Sequence, residues 1–263
     1  MYNQTISLVP LSYNSSEKEI RGLLSQISIF SDLIEIVVVL EKNDLLGYER
    51  WKKYLSLERF LNFYLGFVES KGSKGLCLNE AIKKSKGEFI MRCDMDDFIR
   101  QNRFRDTIEV INNNYDQCDF IYSDMIDLDD NKILKYPKPS LAPLISIFKN
   151  PFPAPTVCFR KSFFEKNSIS YPAFNRSEDL SISLAFIDKK AKIHKLKVPV
   201  VKYKNNNLNR DYQNWFNNFL IRIKRNRFDL IGLFSLLSGF LFLFISCILF
   251  FKRNINIYFQ KLI

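Results

Sequence analysis

The chain has 263 residues, of which 47% are hydrophobic and 25% charged, a balance that excludes a disordered polymer and supports one large domain with its own core. Its five cysteines, Cys77, Cys93, Cys118, Cys158 and Cys247, are scattered and never form a CxxC pair, so neither a zinc site nor a disulfide framework is expected. The formal net charge is +11, and residues 222–263 hold seven basic side chains against the single acid Asp229. A basic excess around one apolar segment suits anionic lipid headgroups; with no nucleic-acid recognition signature beside it, nucleic acid is not an expected partner.

Ile6–Pro10 is expected to form a short strand ending in the polar loop Ser12–Ser16. A helix follows, because Ile20, Leu23, Leu24 and Ile27 share one face at 3.6-residue spacing. Ile34–Leu40 is a largely β-branched run, as in a parallel strand buried on both faces. A helix around Tyr48–Leu57, a strand around Leu61–Val68, a loop at Lys71–Gly75 and a helix at Leu76–Ser85 come next. Gly87 closes that helix, and Glu88–Cys93 is a strand running directly into Asp94-Met95-Asp96-Asp97. Strand and helix alternate through these first hundred or so residues, the pattern of an open, mostly parallel α/β sheet. Ligands bind such sheets beyond the carboxyl ends of the strands, where the acidic cluster falls.

The second half is less regular. Arg103–Tyr115 reads as a helix, and Phe120–Asp127 and Lys132–Tyr136 as strands paired through Asp129–Asn131. Proline-rich stretches frame a short helix and a strand at Thr156–Arg160. Glu178–Lys190 is a helix, and Lys192–Val201, with the single histidine His194, is a strand in which that histidine reads as structural. Residues 230–251 are 22 positions without a charge, roughly 33 Å as a helix and enough to span a bilayer core. The expectation is a transmembrane helix, with an interfacial or re-entrant helix and a buried soluble helix as alternatives. Basic residues clustered on its amino side favour that side as cytoplasmic. Met1–Asn14 has no basic start followed by an apolar run, so the catalytic part is expected to face the cytoplasm from the cytoplasmic membrane.

A short Asp-x-Asp after a strand is by itself most simply a solvated turn. It is also what a departing nucleoside diphosphate requires, namely one or two hard carboxylate ligands for a divalent cation, with phosphate and water completing the shell. The stretch Lys71–Asp97, with its glycine loop, its Leu78-Asn79 helix, Gly87-Glu88-Phe89-Ile90, and Ile90-Met91-Arg92-Cys93-Asp94-Met95-Asp96-Asp97, resembles the nucleotide-binding half of family 2 of the inverting glycosyltransferases, and within it the bacterial exopolysaccharide and capsule sugar transferases. Arg103-Phe104, the Asn150–Lys161 stretch and Glu178-Asp179 extend the likeness over roughly residues 5–205. The sequence departs from the family pattern at Gln101 (commonly proline), Ala154 (often histidine) and Glu41-Lys42 (usually Asp-Gly).

The resemblance implies a GT-A-type fold: an open, mostly parallel sheet flanked by helices, here followed by the C-terminal membrane helix. Residues 1–97 would form the nucleotide-sugar-binding half and 98–210 the acceptor half. A basic juxtamembrane segment (211–229), the apolar helix (230–251) and a basic tail (252–263) would follow. It further implies Mg2+ or Mn2+ held by Asp96 and Asp94, with Asp97 shaping the turn. The nucleotide diphosphate-sugar, expected to be uridine-based, would contact Pro10, Tyr13, Asn14, Glu41, Lys74, Asn79, Arg92, Asp94 and Asp96. Asp179 would be the base that takes the acceptor proton, with Glu178 and Arg210 near the acceptor or diphosphate. An acid at a helix start also serves as a cap, and the two roles are compatible. The expected acceptor is a glycan or lipid-linked glycan hydroxyl at the membrane. The alternatives are transfer to a polyprenyl phosphate, a non-catalytic membrane scaffold keeping the fold, a phosphatase and a nucleotidyltransferase.

Overall fold

The computed structural model describes residues 6–12, 14–58, 60, 62–70, 72–173 and 177–204, and toward the C-terminus 212–224, 237–241, 243–245 and 247–248. Tyr13, Arg210 and more than half of the expected membrane span lie outside the described residues.

The first half alternates as its periodicity predicts. Strand β1 (Ile6–Leu11) leads to helix α1 (Glu17–Ile27), β2 (Ile34–Glu41), α2 (Leu45–Leu57), β3 (Phe63–Val68), α3 (Lys74–Lys84) and β4 (Phe89–Asp94). Local chemistry sets the helix starts. Ser16 and Glu19 form a reciprocal capping box ahead of α1, and Asp44 and Ser73 cap α2 and α3 through backbone N–H groups. The run of β2 is buried from Ile34 to Leu40, and its side chains alternate between two cores. Ile34, Ile36, Val38 and Leu40 pack with α1 and α2, whereas Val37 and Val39 pack with α3. This double burial is what a central parallel strand requires.

The second half comprises β5 (Phe98–Ile99), α4 (Asn102–Asn113), β6 (Phe120–Tyr122), β7 (Met125–Asp127), β8 (Ile133–Leu134), α5 (Ala142–Ile145), β9 (Cys158–Arg160), α6 (Lys161–Lys166), α7 (Glu178–Asp188), β10 (Ile193–Lys195), β11 (Val201–Tyr203) and α8 (Tyr212–Lys224). Seven strands form one sheet in the order β10-β6-β9-β4-β1-β2-β3, parallel except for β9, which runs antiparallel between β4 and β6. The mixed α/β architecture, a mostly parallel sheet flanked by helices, is of the GT-A type. A second sheet, β5-β11-β7-β8, stands beside it.

Two expected strands are each divided between these sheets. Phe120–Asp127 breaks after Tyr122: β6 stays in the large sheet, while β7 joins the small one and pairs with β8 as the predicted hairpin. Lys192–Val201 divides likewise into β10 and the start of β11. The crossing point is held at Ser123, whose N–H donates to Thr156 Oγ1 at 3.1 Å and whose hydroxyl accepts from the Val200 N–H at 3.3 Å. His194 lies on edge strand β10 with Nε2 2.7 Å from the Gln117 carbonyl oxygen, consistent with a structural role.

Among the described residues no helix is long and apolar enough to cross a membrane. The described residues between 237 and 248 are helical and contact the body of the domain. The Ser238 hydroxyl donates to the Ile147 carbonyl at 2.6 Å, and Gly239 sits against Arg222 and Phe219 of α8.

Candidate functional site

The site gathers at the carboxyl ends of β1, β2 and β4. Leu11 of β1 lies in register with Asp94, the last residue of β4, and Pro10 with Cys93. The β4 strand therefore delivers Asp94 to the sheet's mouth, with Asp96 exposed in the following turn. Asp97 turns inward: one of its oxygens accepts from the Lys204 N–H at 3.3 Å, and the other is buried with no hydrogen-bond partner among the described residues. Burial, then the charges of Asp94 and Asp96, pushes the Asp97 carboxyl up to about 8. A carboxyl raised that far is protonated at neutral pH, which leaves Asp94 and Asp96 as the carboxylates this turn can offer a hard cation. Asp94 and Asp96 are the accessible pair. Among the described residues, no group of three or more His, Cys, Asp or Glu side chains is placed to hold a metal ion. A cation held here would draw its remaining ligands from elsewhere.

Arg92 lies beneath this turn. Its buried guanidinium is 3.4 Å from Asp94 and 3.4 Å from Glu178, the first residue of α7. Burial opposes its charge, but Asp94, Tyr171, Glu178 and Asp179 outweigh that and hold it firmly protonated. Burial raises the Glu178 carboxyl, and Arg92 counters that shift. One cation thus ties the acidic strand end to the start of α7.

Asp179 follows Glu178. Asn150 donates from Nδ2 to Asp179 Oδ2 at 2.9 Å, fixing one carboxylate oxygen. Ser177, which precedes α7, has a left-handed backbone (φ 63°), and its hydroxyl is met by Asn218 of α8 at 3.0 Å. A small cavity lined by Arg92, Ala154, Tyr171 and Asp179 adjoins the pair. Ala154, where histidine is often found in the resembling family, therefore borders the same space as Asp179.

The remaining predicted contacts are distributed around this centre. Glu41 ends β2 and accepts from the Gly72 N–H at 2.6 Å, holding the loop before α3. Gly72 takes a positive φ of 78°, which that tight loop requires. Lys74 opens α3, close enough to Glu178 to favour its ionised form. Pro10 is buried at the end of β1, and Asn14 follows with a positive φ. Asn79 clamps the Tyr171 backbone through both ends of its amide, at 2.9 and 2.8 Å. Gly75 touches the same segment, since a Cβ there would lie 2.0 Å from the Pro172 carbonyl oxygen.

Sequence reasoning did not select Asn150, Tyr171 or Gly75 as site residues. Asn150 precedes a proline-rich stretch, a signal for a rigid loop that does not disclose what the amide would meet.

No protein-family model matches the sequence, and no curated protein matches it. Its fold does match solved structures. TarS of S. aureus, residues 1–349 in complex with UDP-GlcNAc, superposes with a TM-score of 0.69 at 20% identity, covering 89% of this chain and 70% of that one. A second structure of the same TarS fragment gives a TM-score of 0.67 at 21% identity, covering 90% of this chain and 70% of that one. Against the longer TarS structure the match covers 41% of that chain. The mannosyltransferase PcManGT from Pyrobaculum calidifontis, in complex with GDP-Man and Mn2+, gives 0.64 at 14% identity, over 95% of this chain and 75% of that one. The chain shares the fold of these nucleotide-sugar-binding proteins.

Proposed function

We propose that this chain is a metal-dependent inverting glycosyltransferase of the family 2 type, transferring a sugar from a nucleotide diphosphate-sugar, a UDP-sugar first, to a glycan hydroxyl in cell-surface polysaccharide or lipid-linked oligosaccharide synthesis. The observation that carries the reading is the single buried bridge from Asp94 through Arg92 to Glu178, which sets an accessible acidic strand end beside the carboxylate of Asp179. The fold shared with proteins solved with UDP-GlcNAc and GDP-Man supports it.

The residues have separate tasks in this reading. Asp94 and Asp96 would hold Mg2+ or Mn2+, which supplies positive charge to the leaving diphosphate. Glu41, the loop it holds and the end of β1 border the nucleoside. Asn150 engages Asp179 Oδ2, leaving Oδ1 to take the acceptor proton as its hydroxyl attacks the anomeric carbon from the face opposite the leaving group. Residues 1–97 would serve the donor and 98–210 the acceptor, at the cytoplasmic face of the membrane. Confinement with a lipid-linked acceptor raises the effective concentration of both.

The test is to incubate purified full chain with a panel of nucleotide sugars, with and without Mn2+, and to follow nucleoside diphosphate release and the anomeric configuration of the product. Manganese-dependent release from one donor with inversion is expected. Release of phosphate from simple monoesters, or no binding of any nucleotide sugar, would overturn the reading.

A further inference from the structure

We infer that the described helical residues between 237 and 248 lie along the membrane interface, and that the α5 turn enters the same lipid surface. This rests on the membrane-surface reading above and goes beyond it, by assigning which residues meet lipid and in what orientation.

The argument starts from one contact. Ser238 and Gly239 stand near the middle of residues 230–251. The buried Ser238 hydroxyl donates to the Ile147 carbonyl, and buried Arg222 donates to the neighbouring Ser146 carbonyl at 2.7 Å. If 230–251 crossed a bilayer, Ser238 would lie about 4 Å from mid-depth at 1.5 Å per residue. Ile147 would be at the same depth. Exposed Lys149, two residues on, would be within about 7 Å of Ile147. The non-helical backbone before Asn150, and through Asn150 the carboxylate of Asp179, would then be drawn into hydrocarbon. Irregular backbone facing lipid has no partner for its polar groups. Lying along the interface removes that conflict.

The exposed residues form the required face. Leu237, Phe240, Leu241, Phe244 and Ile248 recur at helical spacing and are all exposed, with Phe244 at 65%. The Phe240 ring meets Phe219 of α8 in a tilted contact at 5.7 Å between centroids, and Ser238 and Gly239 are buried. Beside the Ser238 contact, the turn through α5 presents Leu144 at 56% and Phe148 at 61% exposure. Exposed Lys138 and Lys149 bracket that turn, and the sequence places basic clusters on both sides of residues 230–251. An apolar ridge between cations matches an anionic lipid surface, with aliphatic and aromatic groups below the headgroups and lysines among them.

The test uses the full chain and vesicles of phosphatidylcholine with and without phosphatidylglycerol. Flotation should require the anionic lipid, and an alkaline carbonate wash should release the protein. Leu144→Asp and Phe148→Asp should each lower the floated fraction roughly tenfold. Nucleotide-sugar affinity by calorimetry and the thermal unfolding midpoint should stay unchanged, so failure here is separable from failure of the enzymatic reading. Phe148→Trp gives a second readout: its added fluorescence should be quenched most by lipids brominated near the headgroup. Carbonate-resistant association indifferent to Leu144 and Phe148 would overturn the inference. So would quenching strongest at the chain ends, or a vesicle-indifferent dimer that the same substitutions dissociate.

Discussion

Arg92 on β4 and Glu178 at the head of α7 are 86 positions apart in the chain and 3.4 Å apart in the fold. Their pairing joins the two halves of the site. Arg92 also reaches Asp94, so the acid offered to a cation and the residue preceding the proposed base depend on the same guanidinium.

Replacing Arg92 with Met should strand Glu178 in the interior without its counter-charge. Breaking a buried pair by removing one partner costs about 3–5 kcal/mol. Urea unfolding should report a loss of that order, and Arg92→Lys should recover only part of it, because both contacts are made from Nη2 and the shorter lysine side chain does not carry its ammonium to that position.

Asp179→Asn should lower turnover on a sugar-hydroxyl acceptor by about 10²–10⁴-fold while leaving donor affinity intact. A polyprenyl-phosphate acceptor already carries negative charge, so the same variant should lose far less with it. Parallel rate measurements on the two acceptor types distinguish the modes of transfer. Asn150→Ala should lower kcat more than it raises the acceptor KM, because it frees the carboxylate without removing it.

Asp96→Ala should abolish the response of donor turnover to added manganese. Unchanged manganese-stimulated rates in that variant would remove the metal from the mechanism. Chelation of the wild-type protein should produce the same loss, reversible on adding Mg2+ or Mn2+.

Gly75→Ala places a methyl group against the Pro172 carbonyl, a backbone atom that cannot swing aside. Overpacking of this kind costs about 1–3 kcal/mol. The unfolding midpoint should fall, and the donor KM should rise as the start of α3 moves from the Tyr171 segment.

Thiol reactivity offers a check on the fold itself. Cys93 and Cys118 are buried, and burial pushes both thiols up to about 12. Burial raises Cys158 further still. At neutral pH a small disulfide reagent should modify exposed Cys247 promptly and Cys77 slowly, and should reach the other three only in denaturant.

Much of the first half was legible in the sequence. The β-branched run at Ile34–Leu40, the apolar face of Ile20, Leu23, Leu24 and Ile27 and the delivery of Asp94 by a strand are all expressed within a few residues, where period and side-chain chemistry dominate. The second half was less so. A short apolar run does not state which of two sheets it joins, and Phe120–Asp127 changes sheet in mid-run.

The sequence alone determined the alternation of strand and helix, the acidic strand end, and the apolar character of residues 230–251, because each is a property of neighbours along the chain. Tertiary structure alone decided that Asn79 clamps Tyr171, that Asn150 holds Asp179, that Arg92 bridges Asp94 to Glu178, and that Ser238 docks on Ile147. These pairings join residues tens of positions apart. Their partners are selected by which polar groups the packed core leaves together out of water, where an unmatched donor or charge is too costly to keep.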